Sequence, residues 1–387
     1  MNLALKLGKK TDSKPESQEK KGRPKREKRE KQPKQARSSR ASKRGSVKKT
    51  GKCLCLDLGS YSIKGAVGVA DSSGLKVDSA FEAVLPEGFY ENGRIRDRAE
   101  FKNILGTALS QNSIKVKDVV VTIDTSELIK REIVFPDVEG VDLEEAIVYE
   151  IGDHLPIDVN NYVLQPRVMA HFSEDGQKKQ RVLVAALPKD LVETLFFSLQ
   201  EAGLRPLALD IHSNAIEKIF NEKYMPSLYR EDKIFVFADL GYKMTNIVIV
   251  EGQDYRFNRI LRFGGSFLDS SSRERISRES VVEMLESTSR GVGQNPQSDT
   301  IFSQISAWAD DIEKVINYYQ SRAANQPIEK ILIYGGCSRF RDMDLFFEKR
   351  LGVPVVIVEH LDRVDFPSAA QRELFKYVNA LSALIRR

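Results

Sequence analysis

Leu56-Asp57-Leu58-Gly59-Ser60-Tyr61-Ser62-Ile63-Lys64 is repeated in outline by Ala238-Asp239-Leu240-Gly241-Tyr242-Lys243-Met244-Thr245-Asn246. Each segment reads as strand, Asp, apolar residue, Gly, short polar turn, strand. A tight hairpin with Gly at its bend aims several backbone N–H groups at one point with no Cβ in the way, which makes an anion cradle. The hydroxyls of Ser60, Ser62 and Thr245 add donors, and Lys64 adds a point charge suited to phosphate. Asp57 and Asp239 end their strands facing one cleft, and two carboxylates there suit a Mg2+ ion that keeps most of its waters. Taken singly, either segment is also just an Asp-x-Gly turn in an ordinary hairpin. Their recurrence at matched positions gives the pattern its meaning.

A third element is Ile331-Leu332-Ile333-Tyr334-Gly335-Gly336-Cys337-Ser338, an apolar strand ending in a glycine pair. Such an ending lets the backbone approach a flat ligand closely, as adenosine requires, although Gly-Gly after a strand is by itself a common turn. Hairpin, hairpin and strand–Gly-Gly in this order is the phosphate-1, phosphate-2 and adenosine pattern of the actin-like ATPase superfamily. The spacing from Asp57 to Lys64 matches its phosphate-1 arrangement. Within the superfamily the chain resembles the type IV pilus assembly PilM family, relatives of the division protein FtsA. The likeness runs from Lys52 to Arg387 and includes Glu150 to Pro156, Gly264-Gly265, Tyr318-Tyr319-Gln320-Ser321 and Arg350-Leu351-Gly352-Val353-Pro354-Val355. Tyr242-Lys243 makes the second hairpin bulkier than is usual in the family.

The resemblance implies an α/β, actin/Hsp70-like fold: two lobes around a nucleotide cleft, with an FtsA-like inserted subdomain. It implies ATP and Mg2+ as cofactors, with Asp57 and Asp239 as the metal-binding and catalytic pair. Gly59, Ser60, Ser62, Lys64, Gly241, Thr245, Gly335 and Gly336 would hold the nucleotide, with at most slow hydrolysis. It implies docking of a short N-terminal peptide of a PilN-like membrane protein at the cytoplasmic face of the inner membrane, with self-association open. Two other functions stand beside this one. An FtsA-like polymerising ATPase would carry an amphipathic membrane helix after a linker, whereas this sequence stops at Arg387 directly after an expected packed helix. A small-molecule kinase needs a dedicated catalytic Asp, and no candidate besides Asp57 and Asp239 stands out.

A chain of 387 residues exceeds what one hydrophobic core organises, so two or more domains are expected. With 41% hydrophobic and 30% charged residues it reads as soluble and globular. No segment reaches the ~18 uninterrupted apolar residues of a membrane span. Met1–Lys10 lacks the apolar core and cleavage site of a secretory signal, which leads us to expect a cytoplasmic product. Residues 1–52 carry 20 Lys/Arg against 5 Asp/Glu, a balance of +15, while residues 53–387 carry 40 against 50, or −10. The tail, 1–51, is too polar to offset its chain entropy and is expected to be disordered. It is either a solvated appendage or a segment attracted to an anionic leaflet. No aromatic residue precedes Tyr61, so base stacking is not available and no specific nucleic acid is expected. Three cysteines and four scattered histidines argue for a reducing compartment and against a zinc site.

Alternating strands and helices divide the rest. A first lobe core spans 52–129 and takes back a closing helix over Ser368–Ile385, within 368–387. An inserted βαββαβ subdomain spans 130–210, its first helix opened by an Asp142–Glu145 capping box. A linking helix covers 211–232 and a second lobe 233–367. In that lobe helices are expected over Arg278–Glu286 and Ile301–Ala323, with a polar loop at Thr288–Asp299 between them.

Overall fold

The computed structural model describes Leu5–Lys6 and residues 51–137, 143–154, 157–252, 254–268, 270–283, 296–323 and 326–385. Cys53–Leu58 (β1), Ser62–Ala70 (β2) and Leu75–Val84 (β3) form an antiparallel meander. Every residue of β1 is buried, as an unbroken apolar run in a sheet covered on both faces should be. Helix α1 (Arg98–Gln111) follows, its first turn capped by the Asp97 carboxylate on the N–H groups of Ala99 and Glu100. Asp118–Ile123 (β4) then lies parallel to β1.

Ile129–Pro136 (β5), helix α2 (Leu143–His154), Tyr162–Glu174 (β6) and Gln177–Pro188 (β7) form the insert, a three-stranded antiparallel sheet in the order β5-β7-β6. Its small core joins Ile133, Ile147, Ile151, Val182 and Val184. Helix α3 (Lys189–Glu201) and β8 (Arg205–Ile211) do not belong to it. Strand β8 pairs in parallel with β4. Leu191, Leu195 and Leu199 of α3 bury with Leu105 of α1 and Leu209 of β8. The βαββαβ unit expected over 130–210 is therefore corrected: its elements occur in that order, but the last helix and strand complete the first lobe. The apolar stripe of α3 has a larger surface to bury against there than the insert's few core side chains provide.

After β8 comes helix α4 (His212–Ile219), far shorter than a helix over 211–232. Asn221 ends it by donating Nδ2 to the Lys218 carbonyl at 2.8 Å, and Pro226 could not have continued it. The second lobe repeats the first. Ile234–Leu240 (β9), Thr245–Glu251 (β10) and Asp254–Leu261 (β11) are antiparallel. Helices α5 (Ser270–Arg278) and α6 (Pro296–Arg322) lead to Ile328–Tyr334 (β12), and α7 (Met343–Leu351) leads to Val355–Ile357 (β13). Strands β12 and β13 run parallel to β9. Five strands of each lobe sheet are ordered β3-β2-β1-β4-β8 and β11-β10-β9-β12-β13, one strand order used twice; the first sheet is extended beside β3 by Val364–Asp365, which the expected second lobe over 233–367 had included.

Most of helix α5 was not expected; of the helix expected over Arg278–Glu286, Arg278 is the last residue of α5, 281–283 are helical and 284–286 lie outside the described residues. Part of the loop expected at Thr288–Asp299 is helical, since α6 begins at Pro296, a favoured first helical residue. The closing helix is also shorter. A 3-10 turn, Gln371–Lys376, precedes helix α8 (Val378–Leu384), because the Phe375 carbonyl turns aside to accept the Gly335 N–H at 3.0 Å.

Helices α4 and α8 lie between the two lobe sheets. Ile216, Ile219, Leu381 and Leu384 share one core with Cys53, Cys55 and Ala66 of the first sheet and Phe235, Phe237 and Val248 of the second. On the far face of the second sheet, Trp308 of α6 and Phe347 of α7 are fully buried. Of the tail 1–51, Leu5–Lys6 pair antiparallel with Ala208 and Leu209 at the edge of the first sheet. Apart from Gly51, the rest lies outside the described residues, as do the Asp142–Glu145 cap, the Glu150 side chain, and Leu155 and Pro156. No helix among the described residues is long and apolar enough to cross a membrane.

Candidate functional site

Because the two sheets share one strand order, their first hairpins, β1–β2 and β9–β10, are structural equivalents. Asp57 and Asp239 occupy matched places near the C-terminal ends of β1 and β9, where open α/β sheets leave a crevice. One cleft is lined by Asp57, Gly59, Ser60, Ser62 and Lys64 from the first hairpin, Asp239 and Gly241 from the second, and Gly335 and Gly336 after β12. The turns close as the glycine pattern predicts: Gly59 N–H donates to the Ser62 carbonyl, and Gly241 N–H to that of Met244, each at 3.1 Å. Gly335 has φ +89°, and a Cβ there would stand 2.2 Å from Asp239 Oδ1, so only glycine fits.

Thr245, expected to bind nucleotide, is not on the cleft wall. Its hydroxyl donates to the Phe263 carbonyl at 2.9 Å and accepts from Trp308 Nε1 at 2.8 Å. The two serines face the cleft with partial commitments. Ser62 Oγ donates to Glu82 Oε1 at 2.7 Å, and Ser60 Oγ accepts the Lys243 N–H at 3.2 Å, which leaves its own proton to give. That last bond joins the two hairpins directly. Tyr61 and Tyr242 reinforce it, with ring centroids 5.2 Å apart.

The sequence reading missed the groups that bind the two aspartates together. His212, the first residue of α4, places Nε2 2.9 Å from Asp57 Oδ1 and Nδ1 3.4 Å from Asp239 Oδ2. Asn379 of α8 donates Nδ2 to Asp239 Oδ2 at 2.8 Å. Burial opposes charge on the imidazole, but the Asp57 and Asp239 carboxylates hold it protonated well above the usual histidine range. Burial likewise works against ionised Asp57, yet His212 and Lys64 keep it below the ordinary carboxylate value. Asp124, just past β4, is pushed up to about 6 by burial, with His212 opposing and Asp239 adding to the rise. His212 and Asp124 stand directly after the ends of the parallel strands β8 and β4, a signal available in the sequence. Asn379 arrives on a helix from the far end of the chain and offers none.

Three buried polar atoms on residues lining the cleft have no hydrogen-bond partner among the described residues: the Tyr90 hydroxyl, Asn246 Nδ2 and Asn379 Oδ1. Buried polar groups are nearly always paired, so this clustering points to a ligand.

Two lobes of one strand order, closing on paired hairpins and a glycine pair, define a protein of the actin-like ATPase fold class. The sequence profile of the type IV pilus assembly protein PilM family matches residues 55–384, and the chain belongs to that family. A solved structure described as the PilM-PilN type IV pilus biogenesis complex is similar at TM-score 0.66 and 21% identity, covering 86% of this chain and 98% of that one. More distant likenesses are the ethanolamine utilization protein EutJ from Carboxydothermus hydrogenoformans and MreB5 of Spiroplasma citri bound to ADP. EutJ has TM-score 0.47 and 12% identity, covering 87% of this chain and 90% of that one. MreB5 has TM-score 0.43 and 12% identity, covering 85% and 95%.

Proposed function

We propose that the cleft binds ATP with Mg2+, and that the nucleotide-bound chain docks a short N-terminal peptide of a PilN-like inner-membrane protein. The observation that carries the nucleotide reading is the convergence of both hairpins and Gly335-Gly336 on one cleft with three buried polar atoms that have no partner among the described residues. The phosphates lie against the hairpin N–H groups, Ser60 and Lys64, and the adenosine against Gly335-Gly336. His212 lies between the two lobes' carboxylates and lessens their repulsion of the phosphates. The donor chemistry fits Mg2+: Asp57 and Asp239 would hold the ion with hard carboxylate oxygens. Among the described residues no group of three His, Cys, Asp or Glu forms a metal cage, and hydrated Mg2+ requires none. When bound, the ion supplies positive charge to the phosphates. Hydrolysis, where it occurs, is slow.

The PilN partner is supported by family membership and by the likeness to the PilM-PilN complex. The chain then works at the cytoplasmic face of the inner membrane, held there through that complex, with the basic tail adding attraction to anionic lipid. Self-association is compatible with this role. Calorimetry of ATP with Mg2+ on the full chain and on the folded Asp57→Ala, Asp239→Ala double variant tests the reading. Binding by the first and loss in the second is expected; no binding by the parent chain would overturn it.

A further inference from the structure

Asn246 is part of the cleft wall, and its Oδ1 accepts from Asn258 Nδ2 on β11 at 2.6 Å. Asn258 Oδ1 in turn accepts from Lys130 Nζ at 3.3 Å, and Lys130 belongs to β5, the first strand of the insert. Lys130 also donates to Ser213 Oγ and lies 4.6 Å from the Tyr255 ring centroid. A second tie runs beside it. Arg167 on β6 forms a two-pronged pair with Glu217, with side chains 14% and 10% exposed, so it is not a solvated surface pair of little worth. Helix α4, buried along its length, thus carries His212 into the cleft and Ser213 and Glu217 against the insert.

We propose that Lys130 couples the cleft to the insert, so that nucleotide occupancy sets the order of the insert's outer strands β5 and β6. This rests on the nucleotide reading above. The two-state element is the Asn246 amide, whose buried Nδ2 has no partner among the described residues. A ligand that accepts from Nδ2 holds the amide with Oδ1 toward Asn258. Asn258 then keeps its own oxygen turned to the Lys130 ammonium. Without an acceptor on Nδ2 the Asn246 amide is held on one side only, by its 2.6 Å bond from Asn258. The chain to Lys130 is then less firmly fixed. Burial pushes Lys130 down to about 8 against the opposing pull of the Glu217 and Asp124 carboxylates, so an ammonium is costly here and each of its hydrogen bonds counts.

Amide-hydrogen exchange of the full chain, with and without ATP and Mg2+, tests this on the strands β5 and β6. The parent chain should show exchange there slowed about fivefold or more when nucleotide binds. Lys130→Met should bind ATP within about threefold of the parent affinity and lose that slowing. Asn258→Ala, which breaks the chain from the second lobe, should do the same, so one misfolded variant leaves the test intact. Equal slowing in either folded variant, or binding by the parent without any slowing, would overturn the coupling and leave the nucleotide reading standing. Absence of ATP binding by the parent in calorimetry would remove both.

Discussion

His212 and Asp57 are hydrogen-bonded at 2.9 Å although 155 positions separate them in sequence, and the imidazole's other nitrogen lies 3.4 Å from Asp239. One cationic ring therefore joins a carboxylate from each lobe in a buried setting. Removing one partner of such a group leaves uncompensated charge. His212→Ala should cost about 3–5 kcal/mol of stability. Millimolar Mg2+ should restore more of the melting temperature in this variant than in the parent, because the bared carboxylates gain a cation. Thermal melts with and without Mg2+ check this, and equal responses would count against it.

Gly335 and Gly336 are adjacent but not equivalent. Gly335→Ala must place a side chain at φ +89° and into Asp239 Oδ1, whereas a Cβ on Gly336 meets nothing within 4 Å. The first substitution should cost roughly 1–3 kcal/mol and weaken nucleotide binding; the second should leave the melting temperature within a few degrees. Paired melts and ATP titrations give the comparison.

On the nucleotide reading, Asp124 should make binding depend on pH. Its folded pKa of about 6 lies above the ordinary 3.8, so the native state holds an extra proton between those values. Its contribution to stability is therefore present below about pH 4 and lost as pH rises through 6. The same ionisation repels phosphate, so ATP affinity should rise as pH falls through 6. Asp124→Asn should tighten binding at neutral pH by about tenfold and flatten this dependence. Titrations of both proteins across that range measure it, the ligand's own protonation being common to the two.

Thr245 separates scaffold from ligand contact. Thr245→Val removes the acceptor of the Trp308 N–H and the donor to the Phe263 carbonyl, which should cost about 1–3 kcal/mol. ATP affinity, measured below the lowered melting point, should stay within about twofold. A selective loss of affinity at unchanged stability would return Thr245 to the phosphate site.

Much of the architecture was legible because it is periodic. Cys53–Leu58 and Asp118–Ile123 are apolar runs that only a doubly covered sheet buries, and the two Asp-x-Gly turns marked the hairpins that meet. Pairing was less legible. Nothing local in Arg205–Ile211 distinguishes a strand of the insert from one that returns to β4, and the choice follows from where α3 buries its leucines. The glycines and aspartates of the two turns could be expected to meet at one cleft because turns constrain them. His212 and Asn379 could not be tied to Asp57 and Asp239 before the fold set them side by side. Thr245 was placed on the cleft because a strand's first hydroxyl looks alike whether it faces ligand or core; in the structure it bonds to Phe263 and Trp308.

Helix α8 packs against β1, β2, β4 and α4, so the first lobe is sealed by residues that follow the whole second lobe in the chain. During synthesis the opening strands must wait with one apolar face uncovered while the whole second lobe is produced. These long-range contacts raise the contact order of the fold, and the delay opens a window for misassociation. The core between the two sheets closes when Leu381 and Leu384 dock. A chaperone holding the early strands would be met at this stage of the protein's life more than at any other.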